Sequence, residues 1–324
     1  MSVRCRRAHR AWQTRPLPLP CHAVPAIPIA IVSGLLMSLI GTAYGFGHGR
    51  AIRPPHIAVF MGAAGMFVFA AMAGAHTLQA APASVWLTGA AAGASQYLGL
   101  AVFGAALRRG PLSPAWCAAA MTFLPAVIYA WIFLGERRSG ANVAGVALAC
   151  ASVVLAALHG SRGRDPSARR PLDARTACVY GLLLATIVVL AGSINVSMKF
   201  LGHRPAPGGR DAMSAYGLVM LAACYAVFGI CMLADTLARP PPVAARGRLL
   251  PLGLVAAVGS VGGFALLRCA ASAPAAQVFT ANSVASLLGT SLVSVVWLRE
   301  RTTPAWIGML VTGCAAVVLV GWPG

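Results

Sequence analysis

Charged side chains are scarce in this chain, and acidic ones are the scarcest. Only 10% of the 324 residues are charged, six are acidic, and Lys199 is the single lysine. A soluble domain typically has about 25% charged and about 45–50% apolar residues. Here 59% of the residues are apolar and the mean hydropathy is +0.78. The composition therefore excludes an ordinary soluble domain.

Sequence motifs for metal sites, disulfides and catalysis are also absent. The nine cysteines form no C-x-x-C pair, and most lie in or beside apolar runs, where cysteine behaves as a small hydrophobic residue. The sequence has no G-x-S-x-G, H-E-x-x-H or Walker motif. We therefore predict no enzymatic activity, no cofactor and no bound metal.

The net charge of +19 comes almost entirely from arginine. A nucleic-acid-binding protein would gather such residues on one folded face. In this chain they lie between apolar runs, where arginine anchors loops at lipid headgroups. The expected partner is therefore the lipid bilayer and not a nucleic acid. The basic residues fall on both sides of the expected membrane, so the positive-inside rule does not fix the orientation.

Long apolar runs are what the sequence does contain. A helix needs about 20 apolar residues to cross a bilayer, because its backbone must satisfy its own hydrogen bonds in lipid. The chain is therefore predicted to be an all-α integral membrane protein with ten transmembrane helices. The predicted spans are 26–46, 56–75, 85–107, 113–134, 141–158, 177–198, 213–234, 249–268, 275–298 and 304–322.

The second half of the chain repeats the first without a gap over a long stretch. Such self-similarity is the sequence signature of an internal duplication. Residues 164 apart that match are Leu134 and Leu298, Glu136 and Glu300, Arg137 and Arg301, Gly99 and Gly263, and Cys150 and Cys314.

The duplication divides the chain into four parts. A basic N-terminal tail, 1–24, precedes a first five-span repeat, 25–159. An arginine-rich linker, 160–176, leads to the second repeat, 177–324. Because each repeat has an odd number of spans, the second enters the membrane the opposite way round. Inverted repeats of this kind are typical of secondary transporters.

Short motifs in spans 3–5 and 8–10 resemble the EamA-type domain of the drug/metabolite transporter superfamily. Two departures are Arg299, where a glycine is usual, and Gly289, which stands opposite Pro125. The resemblance implies ten helices in two inverted repeats around a central cavity, and transport of small metabolites or drugs, often outward. The matching residues are Tyr97-Leu98-Gly99, Ala105-Ala106-Leu107, Pro125, Leu134-Gly135-Glu136-Arg137, Gly263, Ala270, Leu298 and Glu300.

Polar side chains in the middle of spans are the candidate substrate-cavity residues. They can line a cavity, or they can form hydrogen bonds that hold helices together. In the ninth span most hydroxyl groups share one face, whereas Asn282 lies on another. The candidates are Gln96, Asn195, Ser260, Thr280, Ser283 and Thr290.

Glu136, Arg137, Glu300 and Arg301 form a charged loop motif in each repeat. The two carboxylates are candidates for a gate or for energy coupling. They can equally stabilise the start of the following helix and pair with the adjacent arginine. No acid lies in the middle of a span, which argues against coupling through a buried carboxylate. Arg268 ends the eighth span, where it can reach the interface or bind an anion.

The sequence as a whole predicts a secondary transporter for small molecules, most simply an exporter in the bacterial inner membrane. The alternative is a polytopic scaffold or sensor that transports nothing. Glycine pairs such as Gly89/Gly93 and Gly259/Gly263 are expected to pack helices together. Lys199 is expected in the loop after the sixth span. The oligomeric state stays open.

Overall fold

The chain folds into ten helices of ten residues or more within the part that the structure describes. This computed structural model describes residues 25–48, 52–109, 115, 118–162, 174–204, 212–297 and 302–322. The tail 1–24, most of the linker, Glu300 and Arg301 lie outside these ranges. The helices are α1 Ala26–His48, α2 Pro54–Ala80, α3 Ala83–Leu107, α4 Leu124–Phe133, α5 Gly140–Arg162, α6 Ala174–Gly202, α7 Ala212–Ala238, α8 Arg246–Ala270, α9 Ala275–Trp297 and α10 Pro304–Gly321.

The helices are those of a multi-pass membrane protein. Seven helices in the described residues are long and apolar enough to cross a bilayer, and 118–133 and 140–156 form two shorter apolar helices. Large apolar side chains on the outer surface are the expected consequence of a lipid environment. Those at least 60% exposed include Leu182, Val189, Ile230, Val258 and Val311.

The closest helix pairs each join one of the first five helices to one of the last five. Helix α2 packs along α7, and α5 along α10. Helix α1 packs against α8 and α9, whereas α6 packs against α3 and α4. Helix α3 meets α7, and α2 meets α8. If each helix is replaced by the one five places later, counting on from α10 to α1, these pairs map onto one another. The pair of α9 and α10 is an exception, because α4 and α5 pack less closely.

Glycines allow several of these helices to approach closely, as the sequence predicts. Gly89 and Gly93 of α3 lie against backbone carbonyls of α7, and Gly259 and Gly263 of α8 lie against α1. Helices in lipid gain little from the hydrophobic effect, so close van der Waals packing stabilises their association. Small residues at these positions therefore set the distance between helices.

Helix α4 begins directly after a 3₁₀ turn and ends in a left-handed turn. The 3₁₀ turn, Met121–Phe123, precedes Leu124–Phe133, and Pro125 lies in the first turn of the helix, where its missing N–H removes no hydrogen bond of the helix. At the other end Gly135 has φ +64°. The backbone N–H of Glu136 then donates to the carbonyl of Ala130 at 3.1 Å. This turn brings Glu136 back towards the bundle.

We expect Gly93→Ala to lower the melting temperature of the purified protein, because the added methyl group would collide with the carbonyl of Cys224. Overpacking of this kind costs about 1–3 kcal/mol. Gly181→Ala is the matched control, since Gly181 is helical, exposed and has open space around it. The control should be neutral or slightly stabilising through helix propensity. Equal melting temperatures for both variants would contradict the packing role of Gly93.

Candidate functional site

Glu136 lies at the end of α4 and reaches the start of α9. Its carboxylate forms an ion pair with Lys199. Oε2 also accepts a hydrogen bond from the backbone N–H of Ala275, the first residue of α9, at 2.8 Å. The positive end of a helix dipole favours a carboxylate at such a position. Glu136 therefore joins the first half of the chain to a helix of the second half.

Lys199 lies in the last turn of α6 and is almost completely buried, at 2% exposure. Besides the ion pair, its Nζ donates to the carbonyl of Ala273 at 2.7 Å. Ala273 belongs to the short connection between α8 and α9. A cation near a helix C-terminus is favoured by the helix dipole. The pair thus holds together the ends of α4, α6 and α8 and the start of α9.

Two sequence expectations need correction here. Lys199 was expected in a loop, but α6 continues to Gly202 and carries Lys199 into the buried part of the bundle. The structural one of the two roles predicted for Glu136 places it at the start of the next helix, paired with Arg137. Glu136 stabilises α9 instead and pairs with Lys199, while Arg137 is exposed. Glu300 and Arg301 lie outside the described residues.

The two candidate amides make hydrogen bonds between helices. Gln96 of α3 donates through Nε2 to the carbonyl of Ala191 in α6 at 2.7 Å. Asn195 of α6 donates through Nδ2 to the carbonyl of Thr122, just before α4, at 3.1 Å. Each amide thereby satisfies part of the hydrogen bonding that it would lose in lipid. Of the two roles expected for these residues, the helix-joining one is therefore present.

Ser260 is buried on α8 and faces α7. Its hydroxyl is hydrogen-bonded to the hydroxyl of Tyr225. The Tyr225 ring also meets Phe69 at a centroid distance of 5.5 Å and Phe264 at 6.2 Å. Sequence reasoning missed Tyr225, because nothing in an apolar run marks which aromatic ring will meet a hydroxyl on another helix.

The hydroxyl groups of α9 have different surroundings. Thr280 is fully buried, and its Oγ1 has no hydrogen-bond partner among the described residues. Ser283 is 9% exposed. Thr290 donates within its own helix to the carbonyl of Ser286 at 2.9 Å. Thr280 and Ser283 are thus the α9 candidates best able to accept a new partner.

Asn282 also joins helices, although the sequence set it apart from the polar face of α9. The hydroxyl of Ser33 in α1 lies 2.8 Å from Oδ1 of Asn282 and 2.8 Å from the carbonyl of Gly263 in α8. One hydroxyl can donate to only one of these oxygens at a time. Ser33 therefore links α1 to both α8 and α9.

The six cavity candidates do not form one connected cluster. Within the described ranges, no hydrogen bond joins any of them to another. Gln96 and Asn195 form hydrogen bonds that join α6 to other helices, and Ser260 faces α7. The remaining three, Thr280, Ser283 and Thr290, lie on α9. The charged group around Glu136 and Lys199 is separate from these candidates and joins four helix ends.

Comparison with known proteins supports the fold and no more. No protein-family model and no curated protein matches the chain. Thirteen chains of solved structures are similar to it. One of them, a crystal structure of a protein, has a TM-score of 0.69 and 17% sequence identity, and the match covers 91% of this chain and 96% of that chain. At this identity the likeness shows a shared fold alone.

We expect Glu136→Gln to destabilise the protein strongly, because it leaves Lys199 buried without a counter-charge. Breaking a buried pair in this way typically costs about 3–5 kcal/mol. The double variant Glu136→Gln/Lys199→Met should recover part of the loss, with a coupling free energy of about 1–3 kcal/mol in thermal or denaturant unfolding.

Asp235→Asn provides the control for this double-mutant cycle. Asp235 and the exposed Arg239 form a pair at 3.9 Å near the end of α7, and pairs at the protein surface contribute about 0–1 kcal/mol. Additive effects of the Glu136 and Lys199 substitutions would show that the two side chains do not depend on each other.

Proposed function

We propose that this chain is a secondary transporter of the drug/metabolite type, which exports small metabolites across the bacterial inner membrane. In this proposal ten spans form two inverted five-helix repeats. The observation that carries it is the helix packing, because moving each helix five places along the chain reproduces the main pairs. Inverted repeats are used by transporters to expose a site near the midplane to each side in turn.

Equivalent glycines support the inverted-repeat interpretation. Gly99 of α3 lies against α6, and Gly263, 164 residues later, lies against α1. Gly34 of α1 lies against a carbonyl of α9, and Gly192 of α6 lies against the carbonyl just before α4, although these two glycines do not match in the 164-residue register. The two halves thus use the same kind of contact between corresponding helix pairs. The resemblance of the Leu134–Arg137 motif to EamA-type domains points in the same direction.

The ion pair between Glu136 and Lys199 is suited to close one end of the transporter. It crosses from the first repeat to the second and fixes four helix ends together. In alternating access the two ends of the cavity open in turn, so a contact of this kind has to form and break during each cycle. The exposure of the Glu136 side chain, 18%, leaves it reachable from that end.

Energy coupling through a buried carboxylate is not part of the proposal. Among the described residues the acids are Glu136 and Asp235, and both lie at or near helix ends. Proton-coupled carriers typically place an ionisable group inside the membrane. We therefore propose that transport is facilitated, or is coupled to something other than protons.

The alternative is a polytopic scaffold or sensor. It is favoured by the amides Gln96 and Asn195, which already bond neighbouring helices. Under that hypothesis the polar interior serves helix association alone. Transport assays separate the two functions.

The inverted topology predicts that equivalent loops face opposite sides of the membrane. Arg138→Cys and Thr302→Cys lie 164 residues apart, and both positions are exposed. With accessible native cysteines replaced by serine, an impermeant maleimide should label one position in intact cells and the other only after permeabilisation. Arg204→Cys, at the end of α6, is the control and should label together with Arg138→Cys. Labelling of all three from one side would contradict the inverted repeat.

Export predicts that cells producing the protein release one class of metabolite that empty-vector cells retain. The variant Thr280→Val/Ser283→Ala should change the rate or the specificity, since these side chains can meet a substrate without disturbing a described hydrogen bond. Membrane levels of both proteins must be matched. In proteoliposomes, uptake of that metabolite should not require a pH gradient. A strict requirement would contradict the coupling proposal, and a profile equal to the empty vector would favour the scaffold.

A further inference from the structure

Arg268 is a second cation in the bundle, and its surroundings differ from those of Lys199. It lies in the last turn of α8 and is partly buried. A side-chain carbon built on Gly217 of α7 would lie 3.0 Å from Cδ of Arg268 and 3.0 Å from Sδ of Met213. The stem of Arg268 therefore lies against the backbone of α7 and does not extend freely away from the protein.

The guanidinium of Arg268 has no counter-charge within the described ranges. Its Nε is buried and has no hydrogen-bond partner there. The two described acids pair elsewhere, Glu136 with Lys199 and Asp235 with Arg239. A buried polar atom without a partner is costly, and a buried charge more so. Arg268 is thus a cation held in position without a described anion.

The fold itself does not require a cation at this position. In the 164-residue register, Arg268 corresponds to Gly104 at the end of α3, and the space around Gly104 is open. Both halves use the same helix packing, yet only the second carries a charge here. Arg268 is partly buried at the end of α8 with its Nε buried and unpaired, and an ionisable residue held in this way in a membrane protein indicates a function.

The helix face that carries Arg268 is suited to an organic ligand. Ser260, Phe264 and Arg268 are four residues apart and share one face of α8. Helices α7 and α8 pack mainly on other helices, and besides the contact of Arg268 with Gly217 they meet through Tyr225, which contacts Ser260 and Phe264. Gly217, which faces Arg268, is about two turns from Tyr225 along α7. Phe264, which contacts Tyr225, therefore lies about one turn before Arg268 on the same face of α8.

From this arrangement we infer that Arg268 binds the carboxylate of a small organic acid between α7 and α8, with the apolar part of the ligand near Phe264. A guanidinium offers a planar pair of donors that matches a carboxylate. The inference rests on the proposed function, because it names small organic acids as the substrate class. The binding itself can be tested without transport.

The test measures the melting temperature of detergent-purified protein in sodium benzoate, in benzamide and in sodium phosphate at constant ionic strength. A ligand that binds the folded state raises the melting temperature with concentration. Benzoate should stabilise the wild type, whereas benzamide, its neutral analogue, and phosphate should have little effect. Arg268→Gln should weaken benzoate binding about 10- to 100-fold, the effect of losing a charge-assisted hydrogen bond.

Two further arginine variants separate the effect of charge from that of guanidinium geometry and provide a control. Arg268→Lys retains the charge without the planar fork and should bind benzoate with intermediate affinity. It also guards against a folding defect in the glutamine variant. Arg204→Gln is the matched control, since Arg204 is exposed near the same end and lies over the ring of Phe200 at 4.1 Å. It should respond to benzoate as the wild type does.

Several results would overturn the inference. An equal benzoate response in the wild type and Arg268→Gln would remove Arg268 from the site, and an equal response to benzamide or phosphate would remove carboxylate selectivity. Asp211, which precedes α7, lies outside the described residues. Asp211→Asn and Arg268→Gln could lower the melting temperature equally while benzoate has no effect on the wild type. That result would make Arg268 a structural partner of Asp211. Arg268-dependent benzoate binding without any metabolite export would support the site and contradict the proposed transport.

Discussion

A chain in lipid must satisfy its backbone hydrogen bonds internally, and this constraint governs the structure described here. It makes every long element of the described chain a helix. Lipid tails are as apolar as leucine, so the helices associate through close contact instead of through removal of apolar surface from water. Gly62 of α2 lies against Gly229 of α7, where the two backbones approach most directly. Larger side chains at such crossings would separate the helices.

The same lipid environment makes charge expensive, which explains the geometry around Glu136. The left-handed residue Gly135 turns the chain at the end of α4, and the turn directs Glu136 to Lys199 and to the start of α9. Each charge also lies at the helix end whose partial charge is opposite to its own. A left-handed turn, two helix dipoles and an ion pair thus act together at one end of the bundle.

Sequence reasoning predicted an all-α membrane protein correctly, because span length and hydropathy are local properties of the chain; seven of the described helices are long and apolar enough to cross a bilayer, and ten spans stay a prediction. It also predicted that Gly89 and Gly93 pack helices. It could not predict that Asn282 meets Ser33 or that Ser260 meets Tyr225, since these partners lie far apart in sequence and depend on the packing of helices. Lys199 was misplaced because hydropathy drops where a lysine occurs, although the ion pair with Glu136 allows α6 to continue beyond it. The grouping of cavity residues likewise depends on tertiary structure.

The packing between the two halves has a consequence for how the protein is made. Helix α1 is held mainly by α8 and α9, α2 by α7, and α5 by α10, so most partners of the first five helices are synthesised last. The sequence repeat is therefore not a folding unit. During synthesis the early helices insert into the membrane before their glycine-lined faces have anything to pack against. A chain truncated after α5 would lack nearly all of the close helix contacts that its helices make in this structure.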